Sequence, residues 1–141
     1  MGKINLGRVI LGGLVAGLVI NFSEFILNGL ILARQLEDAM RALNKPIIGN
    51  EAIAYFVIGG FLLGILMIWL YAAIRPRFGA GPRTAICAGL VVWAFAYFYS
   101  AIGFVAMGLF PANVMFIGLV WGLVELPVAA VVGAWLYQEE A

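Results

Sequence analysis

The chain has 141 residues, of which 65% are hydrophobic and 11% charged, with a net charge of +1. Soluble domains are roughly half apolar and a quarter charged, and so short a chain cannot hide this much apolar surface in one aqueous core. That composition excludes a water-soluble domain, offers no basic face for nucleic acid, and, with Cys87 alone and no histidine, leaves neither an internal disulfide nor a His/Cys metal site.

A membrane-crossing helix needs about 20 apolar residues. Four stretches supply them, at about 7–33, 52–74, 84–110 and 113–137. In hydrocarbon the backbone has no aqueous partner, so each must be helical. The fold class expected is therefore all-α: an integral membrane four-helix bundle, with 1–141 forming a single transmembrane domain. Lys3 and Arg8 precede the first stretch as they would in a signal peptide, but the apolar run is too long for an h-region and reads as a retained span.

The first span is interrupted by "NFSEFILN", a carboxylate, Glu24, flanked by Asn21 and Asn28. Gly13, Gly17, Asn21, Glu24 and Asn28 recur at three- and four-residue spacing and so share one helix face. Small residues let a neighbouring helix approach closely, so this face points inward and carries the acid with it. The segment that follows, "RQLEDAMRALNKPIIGNE", is polar. Leu36, Met40 and Leu43 align on one side and Glu37 precedes Arg41 by one turn, which predicts a short amphipathic helix at the membrane interface. A straight helix through to Asn44 would be about 57 Å long, far beyond a hydrocarbon core of about 30 Å, so a bend is expected near Asn28-Gly29. Asn50 is placed to cap the second span.

The second span carries Gly60, Gly64 and Tyr71 on one face, and "RPRFGAGPR" at 75–83 reads as a tight turn with three arginines. The third span sets Ala85, Gly89, Trp93, Ala96, Ser100 and Gly103 on a matching seam, with Tyr97 and Tyr99 nearby. The short link around Pro111 predicts an antiparallel hairpin with the fourth span. There Gly118, Gly122, Glu125 and Ala129 again continue a small-residue seam into an acid. Pro127 has no N–H for the carbonyl of Leu123, which frees that oxygen one turn back.

Lys3, Arg8, Arg75, Arg77 and Arg83 gather at one end of the bundle, against Arg34, Arg41 and Lys45 at the other, where Glu37, Asp38 and Glu51 offset them. By the positive-inside rule both termini are expected in the cytoplasm, with Trp69, Tyr71, Trp135 and Tyr137 as aromatic anchors on that side of a bacterial-type inner membrane.

A carboxylate facing lipid costs about 3 kcal/mol on insertion scales. Glu24 and Glu125 both lie on contact faces, Glu125 near the middle of its span and Glu24 roughly one helical turn, ~6 Å, towards the first loop from the middle of its own, with no basic side chain at that depth. Two acids in one dry site cannot both ionise, so at least one is expected to hold its proton. The candidate proton, cation or ligand site is Glu24, Glu125, Asn21, Asn28, Tyr97, Tyr99, Ser100 and the carbonyl of Leu123. No catalytic residue, cofactor or metal is expected. The partners expected are the bilayer and either further copies of the chain or a larger membrane complex.

The four-span layout, with a polar loop after the first span and a second half rich in Trp and Gly, resembles small bacterial membrane proteins of the DUF1761 type, whose function is uncharacterised. The small multidrug resistance transporters share four spans and a glutamate in the first. Here, however, the first loop is longer, Glu125 is additional, and no other segment matches. Three functions compete: a bundle with a protonatable inner site, an accessory subunit of a larger complex, and an intramembrane enzyme. The lack of a nucleophile with its base, or of a metal cluster, weighs against the last.

Overall fold

The computed structural model describes residues 2–140, and these are helical with no strand among them. The first span is α1 (Leu6–Glu24), which continues as a π-helical segment, Phe25–Ile31. A short surface helix, α2 (Ala33–Ala42), follows. The second span is α3 (Asn50–Phe78). The third is built of α4 (Pro82–Trp93), a second π segment (Ala94–Phe98) and α5 (Tyr99–Ala106). The fourth is α6 (Ala112–Ala134). All four are long and apolar enough to cross a membrane, so the protein is a small multi-pass membrane protein of four apolar helices.

Glycine sets how these helices meet. A Cβ on Gly13 would strike the backbone of Ile65, and one on Gly64 would strike the carbonyl of Gly13. α1 and α3 therefore touch backbone to backbone along Gly13, Gly17 and Gly64, and Gly60 makes room for the Asn21 side chain. A second contact pairs Gly12 with Gly133, where a Cβ on either would lie 2.5–2.6 Å from the other's carbonyl oxygen. Gly89 does the same for α4 against Leu126 and Pro127 of α6. Inside a bilayer such close van der Waals packing drives helix association. Around these contacts lies the main core, in which Ala16, Met67, Ile68, Ala85, Ala88, Leu126, Ala129 and Ala130 are fully buried.

Several boundaries differ from the sequence expectation. α3 runs through Arg75-Pro76-Arg77, so the predicted nine-residue turn shrinks to Gly79–Gly81. The last turn of a helix suits basic residues. The reversal falls instead on Gly79 and Gly81, whose φ values of 87° and 128° only glycine adopts freely. Pro82 then opens α4, where its missing N–H costs nothing. The third span ends at Ala106 rather than 110, closed by Gly108 at φ 68°, and the fourth ends at Ala134 rather than 137. Asn50 is the first residue of α3, not its cap, and Gly49 takes that position with no side-chain bond. The helical break after the first span comes at Leu32, past Asn28-Gly29, because the π segment carries the helix on: the Leu32 amide bonds the Leu27 carbonyl at 2.7 Å.

The amphipathic helix is present. Ala39 is buried, Leu36 packs against a small core of Leu27, Leu32 and Val114, and Glu37 and Arg41 pair at 2.7 Å. The four aromatic anchors divide. Trp69 and Trp135 lie on the outer surface, whereas Tyr71 and Tyr137 are buried edge to face, with ring centroids 5.9 Å apart. They form part of a closed end where both terminal segments meet: the Glu140 amide bonds the Lys3 carbonyl, and Arg75 lies over the Tyr137 ring and 3.5 Å from Glu139.

Candidate functional site

Three of the four spans deliver a polar group to one point. α1 ends its regular turns at Glu24, and Asn28 follows on the π segment, where its side-chain amide donates to Glu24 Oε2. The second π segment carries Tyr97 inward. Its hydroxyl lies 3.0 Å from Glu24 Oε1 and 2.7 Å from Glu125 Oε1. Glu125, on α6, is 6% exposed, far below what an ordinary surface carboxylate shows. Two acids distant in sequence thus meet on a single phenol.

Local backbone makes this meeting possible. A π turn is wider than an α turn and shifts the phase of every later residue; such segments are rare and concentrate at functional sites. Both π segments of the chain adjoin this cluster. On the third side, Gly122 leaves the space that the Tyr97 ring fills, since a Cβ there would overlap the ring. Two indoles brace the surroundings. Trp93 Nε1 donates to the Leu119 carbonyl at 3.0 Å, and Trp121 Nε1 donates to Ser23 Oγ at 2.8 Å. Ser23 sits next to the Glu125 carboxyl.

Of the sequence candidates, Glu24, Asn28, Tyr97 and Glu125 are brought together. Asn21 is not joined to them: its amide bonds the Val57 carbonyl at 3.1 Å and packs on Gly60, which ties α1 to α3. Tyr99 points outward, 75% exposed, and lines a shallow groove with the half-buried Ser100. The Leu123 side chain is on the outer surface, and no hydrogen bond among the described residues links its carbonyl to the cluster. Ser23, Trp121 and Gly122 are the residues that sequence reasoning did not assign to the site. Trp121 stands four residues before Glu125, hence on its face, and that spacing was the available signal.

The arrangement has a definite chemical content. A phenol has one proton to donate, and an ionised carboxylate only accepts. Tyr97 can therefore donate to one of its two carboxyl neighbours, and the other contact is a hydrogen bond only when that acid carries a proton of its own. Both contacts are within ordinary O–H···O distances. No basic side chain takes part among the described residues, and no group of three or more metal-ligating side chains is found among them. Comparison with known protein families, curated proteins and solved structures finds no match, so the functional argument rests on this geometry.

Proposed function

We propose that this protein is a non-enzymatic membrane protein whose inner carboxyl pair binds protons and, through them, moves a proton, cation or small solute. The observation that carries the reading is the shared Tyr97 hydroxyl between Glu24 and Glu125. Acids inside a membrane are costly, and where they occur they usually mark a pathway or relay. Here their cost is lowered by hydrogen bonding to Tyr97, and the two spans that supply Glu24 and Tyr97 each carry a π segment at that level, while α6 has Pro127 two residues past Glu125. Four helices enclose little space, so we take the working form to be an oligomer of this chain. We place both termini in the cytoplasm of a bacterial-type inner membrane, on the strength of the basic residues gathered at that end.

The test is a proteoliposome assay. The purified chain is reconstituted with a pH-sensitive dye inside, and an outward proton gradient is imposed. Wild type should dissipate the gradient faster than protein-free vesicles, and Glu24→Gln and Glu125→Gln should not. Equal leak in all three would overturn the reading.

A second reading, an accessory subunit, draws on a different feature. The first part of α3, including Tyr55, Phe56 and Ile58, and the α5 face with Tyr99 and Ile102 are widely exposed. On that reading the chain co-purifies with other membrane proteins in mild detergent, and both Gln variants leave the complex intact.

A further inference from the structure

The cluster is arranged so that one proton has two homes. Glu24 Oε1 and Glu125 Oε1 both meet the Tyr97 hydroxyl, at 3.0 and 2.7 Å, and both distances are within reach of direct proton transfer. The remaining oxygens differ in their donors. Glu24 Oε2 accepts from Asn28. Glu125 Oε2 is buried without a fixed partner, and Ser23, beside that carboxyl, is the hydroxyl at hand for it. Trp121 donates to Ser23 Oγ. That takes one lone pair of the serine and leaves its own O–H free to turn to Glu125. Besides Tyr97, each acid thus has one neutral donor that can steady its ionised form: Asn28 for Glu24 and Ser23 for Glu125. The groups gathered here come from the first span (Ser23, Glu24, Asn28), the third (Tyr97) and the fourth (Trp121, Glu125), and among the described residues α3 adds no hydrogen bond to them. None is basic, so no counter-charge pins a negative charge to one acid. The two acids differ in access. Glu24 is half-buried and ends α1, just before the π segment that leads to the first loop, whereas Glu125 is buried.

We propose that Tyr97 is a proton relay, carrying one proton between Glu24, which exchanges with the first-loop side, and the buried Glu125. This deepens the proton-site reading and rests on it. With the proton on Glu24, its Oε1–H donates to the phenol oxygen, and the phenol donates to Glu125 Oε1. In the step, the Glu24 O–H bond breaks and the phenol oxygen takes that proton. The phenol's own O–H bond breaks at the same time, and its proton bonds Glu125 Oε1. Glu24 is left ionised on the Asn28 amide, and Glu125 is protonated. The phenol is neutral before and after, so no phenolate has to be held in a dry site, where a lone charge is costly. The pair keeps one proton and one negative charge throughout, and no heavy atom has to move. The reverse step returns the proton to Glu24, with Ser23 turned to the ionised Glu125.

The experiment compares wild type, Tyr97→Phe and the two Glu→Gln variants of the full chain in the same dye-loaded proteoliposomes, with infrared spectra of the same samples. Phenylalanine keeps the ring beside Gly122 and removes only the hydroxyl. Tyr97→Phe should retain a protonated carboxyl band near neutral pH, and so still bind its proton, while dissipation of the gradient slows about tenfold or more. A residue that only held the fold together would not separate binding from transfer in this way. The two carboxyls also adjoin directly, and a hop between them without the phenol is the rival path. Wild-type flux measured across mixtures of light and heavy water tells the two apart, and stands even if Tyr97→Phe fails to elute as a single species. Two protons moving together give a rate that bows below a straight line as deuterium rises, and a single hop gives a straight line. Wild-type flux in a well-folded Tyr97→Phe, or a straight line for wild type, overturns the relay; with both Gln variants inactive, the proton site survives. If wild type and the Gln variants leak no faster than protein-free vesicles, both readings fall.

Discussion

Gly122 of α6 faces the ring of Tyr97 so closely that no side chain fits between them. The relationship makes the glycine a positioning residue for the phenol. Gly122→Ala should push the ring off α6 and break its contact with Glu125. The expected cost is about 1–3 kcal/mol, the usual range for overpacking. Gly118 supplies the control, because a Cβ there meets nothing within 4 Å, although its spacing in the sequence puts it on the same seam. Gly118→Ala should leave the unfolding midpoint in detergent unchanged or slightly raised, while Gly122→Ala lowers it.

Tyr97→Phe isolates the hydroxyl. The ring still fills the space beside Gly122, but the two carboxyls lose their common partner. About 1–3 kcal/mol of stability should be lost, as for other buried polar groups deprived of a partner. Carboxyl infrared bands of both acids should shift together, since each bonds the same oxygen. Tyr99→Phe, on the outward face, should change neither stability nor spectrum.

Why the sequence distinguishes Glu24 and Glu125 but not Tyr97 from Tyr99 has a physical explanation. Both acids continue small-residue faces at regular α spacing, and such spacing points reliably to the helix contact. Tyr97 lies in a π segment, where the 3.6-residue period no longer holds. Counting along a regular helix from Gly89 cannot foresee the phase shift, so the outward Tyr99 and the inward Tyr97 looked alike. Asn21 has the right face but lies about one turn before Glu24 on α1, where its amide donates to the Val57 carbonyl of α3. The spans were legible from hydropathy alone, whereas their ends were set by Gly79, Gly81 and Gly108, whose positive φ values only the structure displays. Tyr71 and Tyr137 show the same limit: position along a span gives depth in the membrane, but not which way a ring turns.

The end of the bundle that joins both termini should be cytoplasmic. Lys3, Arg8, Arg75, Arg77 and Arg83 lie there, and the backbone bond between Lys3 and Glu140 fixes the two termini on one side. A reporter that works only in the cytoplasm should be active when fused to the C-terminus. Activity of a reporter that requires the opposite side would reverse the topology.

The surface helix α2 should lie flat against the bundle and membrane. Leu36 and Met40 are half-buried and Ala39 buried, whereas Asp38 and Arg41 are exposed. Spin labels at Leu36 and Met40 should be shielded from a water-soluble quencher, and labels at Asp38 and Arg41 should not. Equal quenching at all four positions would mean that the helix stands away from the protein.

The protonation of the acid pair is the most direct consequence of the geometry. Tyr97 offers one proton to two carboxyls, so at least one of Glu24 and Glu125 should hold its own proton at neutral pH. Glutamine is nearly isosteric with a protonated glutamate and its amide donates where the acid's hydroxyl would. Either Glu→Gln variant should therefore fold, and if the replaced acid is the protonated one the bond to Tyr97 should persist. Glu125→Leu differs, because it removes one of the two carboxyl partners of Tyr97 and leaves the hydroxyl with Glu24 alone. It should destabilise more than Glu125→Gln by about 0.5–1.5 kcal/mol, the net worth of one hydrogen bond. Infrared difference spectra decide the proton count. Wild type should show a protonated carboxyl band at neutral pH, and one of the two Gln variants should remove it. If wild type shows only ionised carboxylates, one of the Tyr97 contacts is not a hydrogen bond, and the shared-proton site cannot stand. A band removed by Glu125→Gln assigns the proton to the buried acid; one removed by Glu24→Gln assigns it to the half-buried acid that Asn28 holds.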